Sequence, residues 1–265
     1  MTTSELSDVQ GRRDERATAI EAAGVSGLRI PITVTDRGGR QQHTVATASL
    51  SVDVPADRKG AHMSRFVQVI TSNSASVSVT GMGDLARTMI ERLEADSGEI
   101  SLTFPYFVDK AAPVSGEVGP MDYEATLRVR IDRQQTEAWV TVAVPATSLC
   151  PCSKEISDYS AHNQRSIITI SITRFDDAAP VWLEDLIEIG ETAASCPVYA
   201  VLKRVDEKHV TEAAYDNPKF VEDIVRDLAA PLDADGRISR YDIHVDNMES
   251  IHNHSAFARI RRDKR

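Results

Sequence analysis

The sequence predicts an α+β fold of antiparallel strands with helices on one face, and three observations carry that reading. Segments with period-two alternation occur in pairs, amphipathic helical stretches fall between the pairs, and this order occurs twice along 265 residues. The chain therefore reads as two tandem ββααββ modules, residues 27–133 and 134–265, behind an N-terminal arm of residues 1–26 that is polar, charge-mixed and without a strong period.

Order begins near Leu28. Leu28–Val34 and Thr44–Val54 read as a long hairpin around the turn signal Arg37-Gly38-Gly39. Met63–Ile70 is a short helix, and Asp84–Ala95 a firmer one, with Leu85, Met89 and Leu93 one turn apart behind an Asp84 cap. Glu99–Phe107 and Ala125–Ile131 alternate as strands, the second with Leu127, Val129 and Ile131 on one side and arginines on the other. Strands at Glu137–Val144 and Arg165–Thr173, helices at Val181–Ala194 and Pro218–Leu232, and strands at Ser239–Val245 and Ser255–Ile260 repeat the order. In the Pro218 helix, Phe220, Ile224, Leu228 and Leu232 form one stripe, Asn217 is the expected cap, and Pro218 suits the first helical position. The halves share element order and no residue-level repeat.

Composition narrows the function. At 42% hydrophobic residues the chain can bury a sizeable core, and no apolar run approaches the ~20 residues that cross a bilayer. Met1-Thr2-Thr3-Ser4-Glu5 lacks the basic and apolar regions of a secretory signal, so the expectation is a soluble, cytoplasmic protein with no membrane partner. Three cysteines do not make a disulfide scaffold, and reduced thiols are expected. A net charge of −10 repels long phosphate polymers, which argues against a nucleic-acid partner and requires any anionic ligand to meet a locally basic pocket.

The densest chemistry lies between Cys150 and Arg165. Cys150-Pro151-Cys152 follows a strand, where proline holds the segment as a rigid loop, and His162 comes twelve residues after Cys150. Thiolate and neutral imidazole suit a divalent metal, whereas Lys154 and Arg165 suit phosphate. No second Cys pair completes a closed zinc-finger pattern, so an open, catalytic metal position fits better. His252-Asn253-His254 adds an HxH pair, whose rings would point to opposite sides of an extended segment so that only one ligates. His43, His209 and His244 are read as ordinary hydrogen-bonded rings. Lys203-Arg204-Val205-Asp206-Glu207-Lys208 has the look of a solvated charged turn. Glu222 stands beside the apolar stripe of the Pro218 helix, where its carboxylate could accept two hydrogen bonds from a guanine edge. His62 and Arg65 open the first short helix, where packing explains Met63 and Phe66 and an anion would explain the other two.

The stretches Ser148-Leu149-Cys150-Pro151-Cys152-Ser153-Lys154-Glu155-Ile156-Ser157, Ala161-His162-Asn163-Gln164-Arg165-Ser166, Asn217-Pro218-Lys219-Phe220-Val221-Glu222-Asp223 and Ser250-Ile251-His252-Asn253-His254-Ser255-Ala256 together resemble type IB GTP cyclohydrolase I, the prokaryotic folate-pathway enzyme. The resemblance runs from about Gly27 to Ile260 and includes His62-Met63-Ser64-Arg65. It implies the tunnelling fold, with two ββααββ modules per chain and a homotetramer whose active sites lie at subunit interfaces. The implied reaction takes GTP and water to formate and 7,8-dihydroneopterin triphosphate. Carried over residue by residue, Cys150, His162, Glu207 and His252 would hold a divalent metal ion (Zn²⁺, Fe²⁺ or Mn²⁺). Cys152 would be the second catalytic thiol, and Glu222 the guanine anchor. Lys154, Arg165, Lys203, Arg204, His62, Arg65 and His254 would contact the rest of the substrate. Competing readings are another tunnelling-fold purine or pterin enzyme, such as a nitrile reductase or a cyclohydrolase releasing a cyclic phosphate, and a non-catalytic metal-thiolate protein.

Overall fold

A computed structural model describes residues 9–73, 77–78 and 81–265; residues 1–8 of the expected arm lie outside this range. The elements run β1 (Ile20–Thr35), β2 (Gln41–Val54), α1 (Met63–Asn73), α2 (Met82–Leu93), β3 (Gly98–Ala111), β4 (Val118–Ile131), β5 (Thr136–Leu149), α3 (Pro151–Ile156), β6 (Asn163–Arg174), α4 (Leu183–Ala193), β7 (Cys196–Pro197), α5 (Arg204–Asp216), α6 (Val221–Ala234), β8 (Ile238–Met248) and β9 (Ala256–Asp263). Hydrogen-bonded neighbours follow the order β1-β2-β3-β4-β5-β6-β8-β9, with the short β7 pairing off β5. This is the antiparallel α+β architecture that the pairing of strand segments predicts.

The described residues form two compact units, one drawn from residues 1–35, 43–104 and 127–138 and the other from residues 36–42, 105–126 and 139–265. The division differs from a single cut after residue 133, because β3 and β4 are each 14 residues long and contribute one end to each unit.

In the first unit, alternation decides what is buried. Ala48 and Leu50 of β2 face Leu102 and Ile100 of β3 in register, all of them buried. On α2, Leu85, Met89 and Leu93 form the expected buried stripe. That helix begins at Met82 with Gly81 as N-cap, so Asp84 lies inside the first turn instead of capping it. Strand β1 starts at Ile20, inside the segment expected to be an arm. Its outer part is mostly exposed, which removes the apolar alternation that marks a strand. Gly24 is required there: a Cβ would stand 1.9 Å from the Leu50 carbonyl oxygen.

In the second unit, Val140, Val142, Val144 and Ala146 of β5, Ile168, Ile170 and Ile172 of β6, and Tyr241, Ile243 and Val245 of β8 are buried on one face. Helix α6 packs on β8 and β9 and against α4, its apolar stripe including Ile224, Leu228 and Leu232. The second half carries three elements that the ββααββ reading lacks: α3, β7 and α5. Helix α4 approaches β5 closely at Gly190, where a Cβ would come 2.9 Å from Val144 Cγ2 and 3.1 Å from its Cβ.

Gly190→Ala is expected to cost about 1–3 kcal/mol by overpacking this contact, measured as a lower urea midpoint at unchanged m-value. A second prediction concerns alkali. Burial, with the hydrogen bond donated to Asp233 Oδ1 at 2.8 Å, pushes the Tyr241 hydroxyl up to about 12, and burial raises Tyr106 and Tyr123 further. Each folded pKa lies above the unfolded value near 10, so the contribution is complete below about pH 10 and is lost as pH rises through the folded value. Thermal midpoints should therefore fall above about pH 10, and Tyr241→Phe should reduce the part of that fall that occurs up to about pH 12.

Candidate active site

The site grows from the far end of the β5–β6 pair. The ladder places Leu149 opposite Asn163, and one further backbone bond, from the Cys150 N–H to the His162 carbonyl at 3.1 Å, continues it by a residue. Thiol and imidazole residues twelve positions apart in sequence are thereby neighbours. The alternation that buries Ala146 and Ser148 on β5, and Gln164 and Ser166 on β6, puts Cys150 and His162 on the same side.

The expected rigid loop after Cys150 is instead a helical turn. Cys150 is the N-cap of α3, in extended conformation, and Pro151 occupies its first position, where the missing N–H costs nothing. Ser153 Oγ donates to the Cys150 carbonyl at 3.1 Å, and the Lys154 N–H donates to it at 3.2 Å. Cys150 is partly exposed and Cys152 exposed. Lys154 lies over the Tyr215 ring, 4.0 Å from its centre, and donates to the Tyr215 carbonyl at the end of α5, so any phosphate contact would draw it from that position.

His162 Nδ1 meets Gln164 Oε1 and Ser250 Oγ, each at 3.1 Å. The second contact folds the β8–β9 loop over the strand ends and brings the segment carrying His252 alongside. The expectation that His252 and His254 point apart does not hold: residues 250–254 are bends instead of extended chain, and the two rings stack at 5.3 Å and 17°. Arg165 is exposed, on the opposite side of β6 from Gln164 and His162.

The charged run after Lys203 is a helix and not a turn. Its anchor is Asp206, fully buried, which accepts the N–H groups of Val114 and Ser115 through Oδ1 at 2.8 Å each, and the Lys203 N–H at 2.8 Å and Ser115 hydroxyl at 2.6 Å through Oδ2. These donors outweigh the cost of burial and hold the carboxyl well below the usual range. Lys203, Arg204 and Glu207 are presented, exposed, on the first turn of α5.

Helix α6 starts at Val221 and not at Pro218. Phe220 is the N-cap, its N–H held by Asp223 Oδ2 at 3.0 Å, while Asn217 ends α5 and donates to the carbonyls of Ala194 and Ser195. The Lys219 N–H donates to the Leu149 carbonyl at 3.1 Å, which ties the entry of α6, and Glu222 in its first turn, to the residue before Cys150. Glu222 is exposed.

Cys150, His162 and the His252 loop are thus drawn together. Among the described residues, no group of three or more His, Cys, Asp or Glu side chains meets closely enough within one chain to hold a metal ion, and no hydrogen bond or ion pair joins the Glu207 side chain to the others. His62 and Arg65 belong to the first unit, where the Arg65 guanidinium donates to the Arg92 carbonyl at 3.1 Å and lies 3.9 Å from Glu94. Ser148, Gln164, Ser250 and Asp206 escape a reading by residue type. The first two carried a signal, as polar positions that continue the apolar strand faces of Val140–Ala146 and Ile168–Ile172.

The family model described as type I GTP cyclohydrolase folE2 matches residues 6–258. The chain belongs to this family. It is 53% identical over 260 residues to the GTP cyclohydrolase FolE2 of Halorhodospira halophila, covering 98% of this chain and 99% of that one. It is 52% identical to that of Methylobacillus flagellatus, covering 98% and 97%, and 51% identical to that of Nitrosomonas eutropha, covering 100% and 98%. Among solved structures, a uricase from Bacillus fastidious matches at TM-score 0.57 and 9% identity, over 92% of this chain and 93% of that one. Uricase from Arthrobacter globiformis matches at 0.53 and 8%, over the same shares. These likenesses show the fold, which is the tunnelling fold.

Asp206→Ala would leave three backbone N–H groups and a hydroxyl without their acceptor, and is expected to destabilise the protein by at least about 3 kcal/mol. Chemical denaturation checks the magnitude. Amide exchange should show the loss concentrated at residues 112–117 and the start of α5.

Proposed function

We propose that the chain is a GTP cyclohydrolase that converts GTP and water to formate and 7,8-dihydroneopterin triphosphate, the first step towards tetrahydrofolate. The observation that carries the reading is family membership over nearly the whole chain together with the pairing of Cys150 and His162 at one strand end.

The donors suit a divalent metal ion, Zn²⁺, Fe²⁺ or Mn²⁺. Cys150 is accessible, and His162 engages Nδ1 with Gln164 and Ser250, which leaves Nε2 for coordination. Cys150, His162 and His252 would hold the ion, with Glu207 as a fourth ligand. Such an ion supplies Lewis acidity, lowering the pKa of a coordinated water from 15.7 towards about 7. Cys152, exposed and two residues after Cys150, would stand near C8 of the purine. Glu222 would accept the N1–H and 2-amino hydrogens of guanine. Lys203 and Arg204 at the start of α5, with Lys154, Arg165, Arg65, His62 and His254, would share the ribose and triphosphate.

A homotetramer with interfacial sites fits two further facts. In the second unit the strand face opposite the core carries half-buried Thr141, Thr169, Ser171 and His244, and β9 is an edge strand with Phe257 67% exposed. Among the described residues no helix is long and apolar enough to cross a membrane, in keeping with a cytoplasmic enzyme.

GTP with a divalent metal should yield formate and, after oxidation, a fluorescent pterin; absence of both across Zn²⁺, Fe²⁺ and Mn²⁺ removes the assignment. Cys152→Ala should abolish turnover while retaining most of the metal, and Cys150→Ala should lower metal occupancy. A protein that only stores metal would lose metal in both variants and show no turnover in any form.

A further inference from the structure

On one face, the buried positions from Val140 to Ala146 of β5, Ile168 to Ile172 of β6 and Tyr241 to Val245 of β8 are aliphatic or aromatic until the strands reach the site. There they become Ser148, Gln164, Ser166 and Asn247, all 7% exposed or less. Four buried polar side chains at one end of an apolar face are costly unless each finds a partner, and here they pair with one another. Gln164 Nε2 donates to Ser148 Oγ at 3.0 Å, Ser148 and Ser166 share a contact of 3.0 Å, and Ser166 Oγ donates to Asn247 Oδ1 at 2.7 Å. Ser166 Oγ is the donor in both of its contacts, to Ser148 Oγ and to Asn247 Oδ1, so Ser148 Oγ accepts from Ser166 and from the Gln164 amide nitrogen together. The chain converges on Ser148, whose oxygen faces the amide nitrogen of Gln164 in that direction.

That direction has a consequence at the other end of Gln164. With Nε2 committed to Ser148, the atom facing the His162 ring is Oε1, 3.1 Å from Nδ1, and an amide oxygen can only accept. A neutral ring must therefore carry its proton on Nδ1 and its lone pair on Nε2. Ser250 Oγ, also 3.1 Å from Nδ1, tolerates either arrangement and does not select one.

We propose that Gln164 is a positioning residue for His162, fixing the Nδ1–H tautomer and the ring orientation, and that Ser148, Ser166 and Asn247 set the direction of its amide. The inference deepens the hydrolase reading, since it rests on His162 acting as a ligand through Nε2. Ligating histidines are commonly oriented by an acceptor on their second nitrogen. Here the acceptor is locked by a buried chain that ends on β8, so three strands cooperate in presenting one lone pair.

The test uses full-length metal-free protein at about pH 8, above the ordinary imidazole pKa. Long-range ¹H–¹⁵N spectra of ¹⁵N-histidine protein, with His162 assigned by its loss in His162→Asn, should show the proton on Nδ1. Gln164→Met, close in shape but without the acceptor, should move the proton towards Nε2 and weaken Zn²⁺ binding by about 10–100-fold in a chelator competition. Gln164→Glu, which restores an oxygen opposite Nδ1, should recover the Nδ1–H form; a purely structural role would not be rescued in this way. Should Gln164→Met fail to fold, Ser148→Ala breaks the chain with a smaller residue and should also shift the tautomer. An Nε2–H ring in the wild-type protein overturns the proposal, as does a folded Gln164→Met that keeps both Nδ1–H and Zn²⁺ affinity within about threefold. The tautomer is read without metal or GTP, so its failure is separable from failure of the hydrolase reading, which the product assay decides.

Discussion

Everything at the site depends on the register of β5 against β6. A ladder from Val140 opposite Ile172 to Leu149 opposite Asn163 leaves no freedom at its end, and the bond from Cys150 to His162 is its last rung. A slip of one residue would turn every side chain to the other face. It would bury Arg165 and expose Gln164, and it would part the thiol from the imidazole. Register is held by the core itself, because Val140, Val142, Val144, Ile168, Ile170 and Ile172 must all face the helices.

The same face then changes character over one strand length. Beneath α4 and α6 it is aliphatic; beyond them it is amide and hydroxyl. The transition coincides with the points where the surrounding elements are pinned: Lys219 on the Leu149 carbonyl, Lys154 on the end of α5, and Ser250 on His162. Each contact is a single hydrogen bond, but together they bring three separate chain segments to one strand end. A group of side chains held this way draws its precision from the sheet and not from the loops.

Much of this was legible in the residues. The stripe of Ile224, Leu228 and Leu232, the alternation of the central strands and the Cys–His spacing all follow from period and residue type. What escaped depended on partners distant in sequence. Helix α5 hides in a charged run because its anchor is Asp206 reaching the loop at Val114 and Ser115, 92 and 91 residues away. The first residues of β1 lack apolar alternation because most of their side chains face solvent. The start of α6 was misplaced because Asn217 and Pro218 imitate a cap, while the segment is held extended by the bond from Lys219 to Leu149. Likewise, the bend before β9 stacks two rings that an extended chain would have separated. The roles proposed for Glu207 and Cys152 rest on family resemblance, since neither spacing nor burial distinguishes them.

The three thiols grade from solvent to interior: Cys152 is open, Cys150 partly covered, and Cys196 enclosed, with burial pushing its thiol up from the ordinary range. Reaction with soft electrophiles needs access, so this gradient separates the proposed site from the body of the protein. An alkylating probe would modify the entrance long before it wounds the scaffold. The same asymmetry makes the site, and not the fold, the point at which oxidative stress would first be felt.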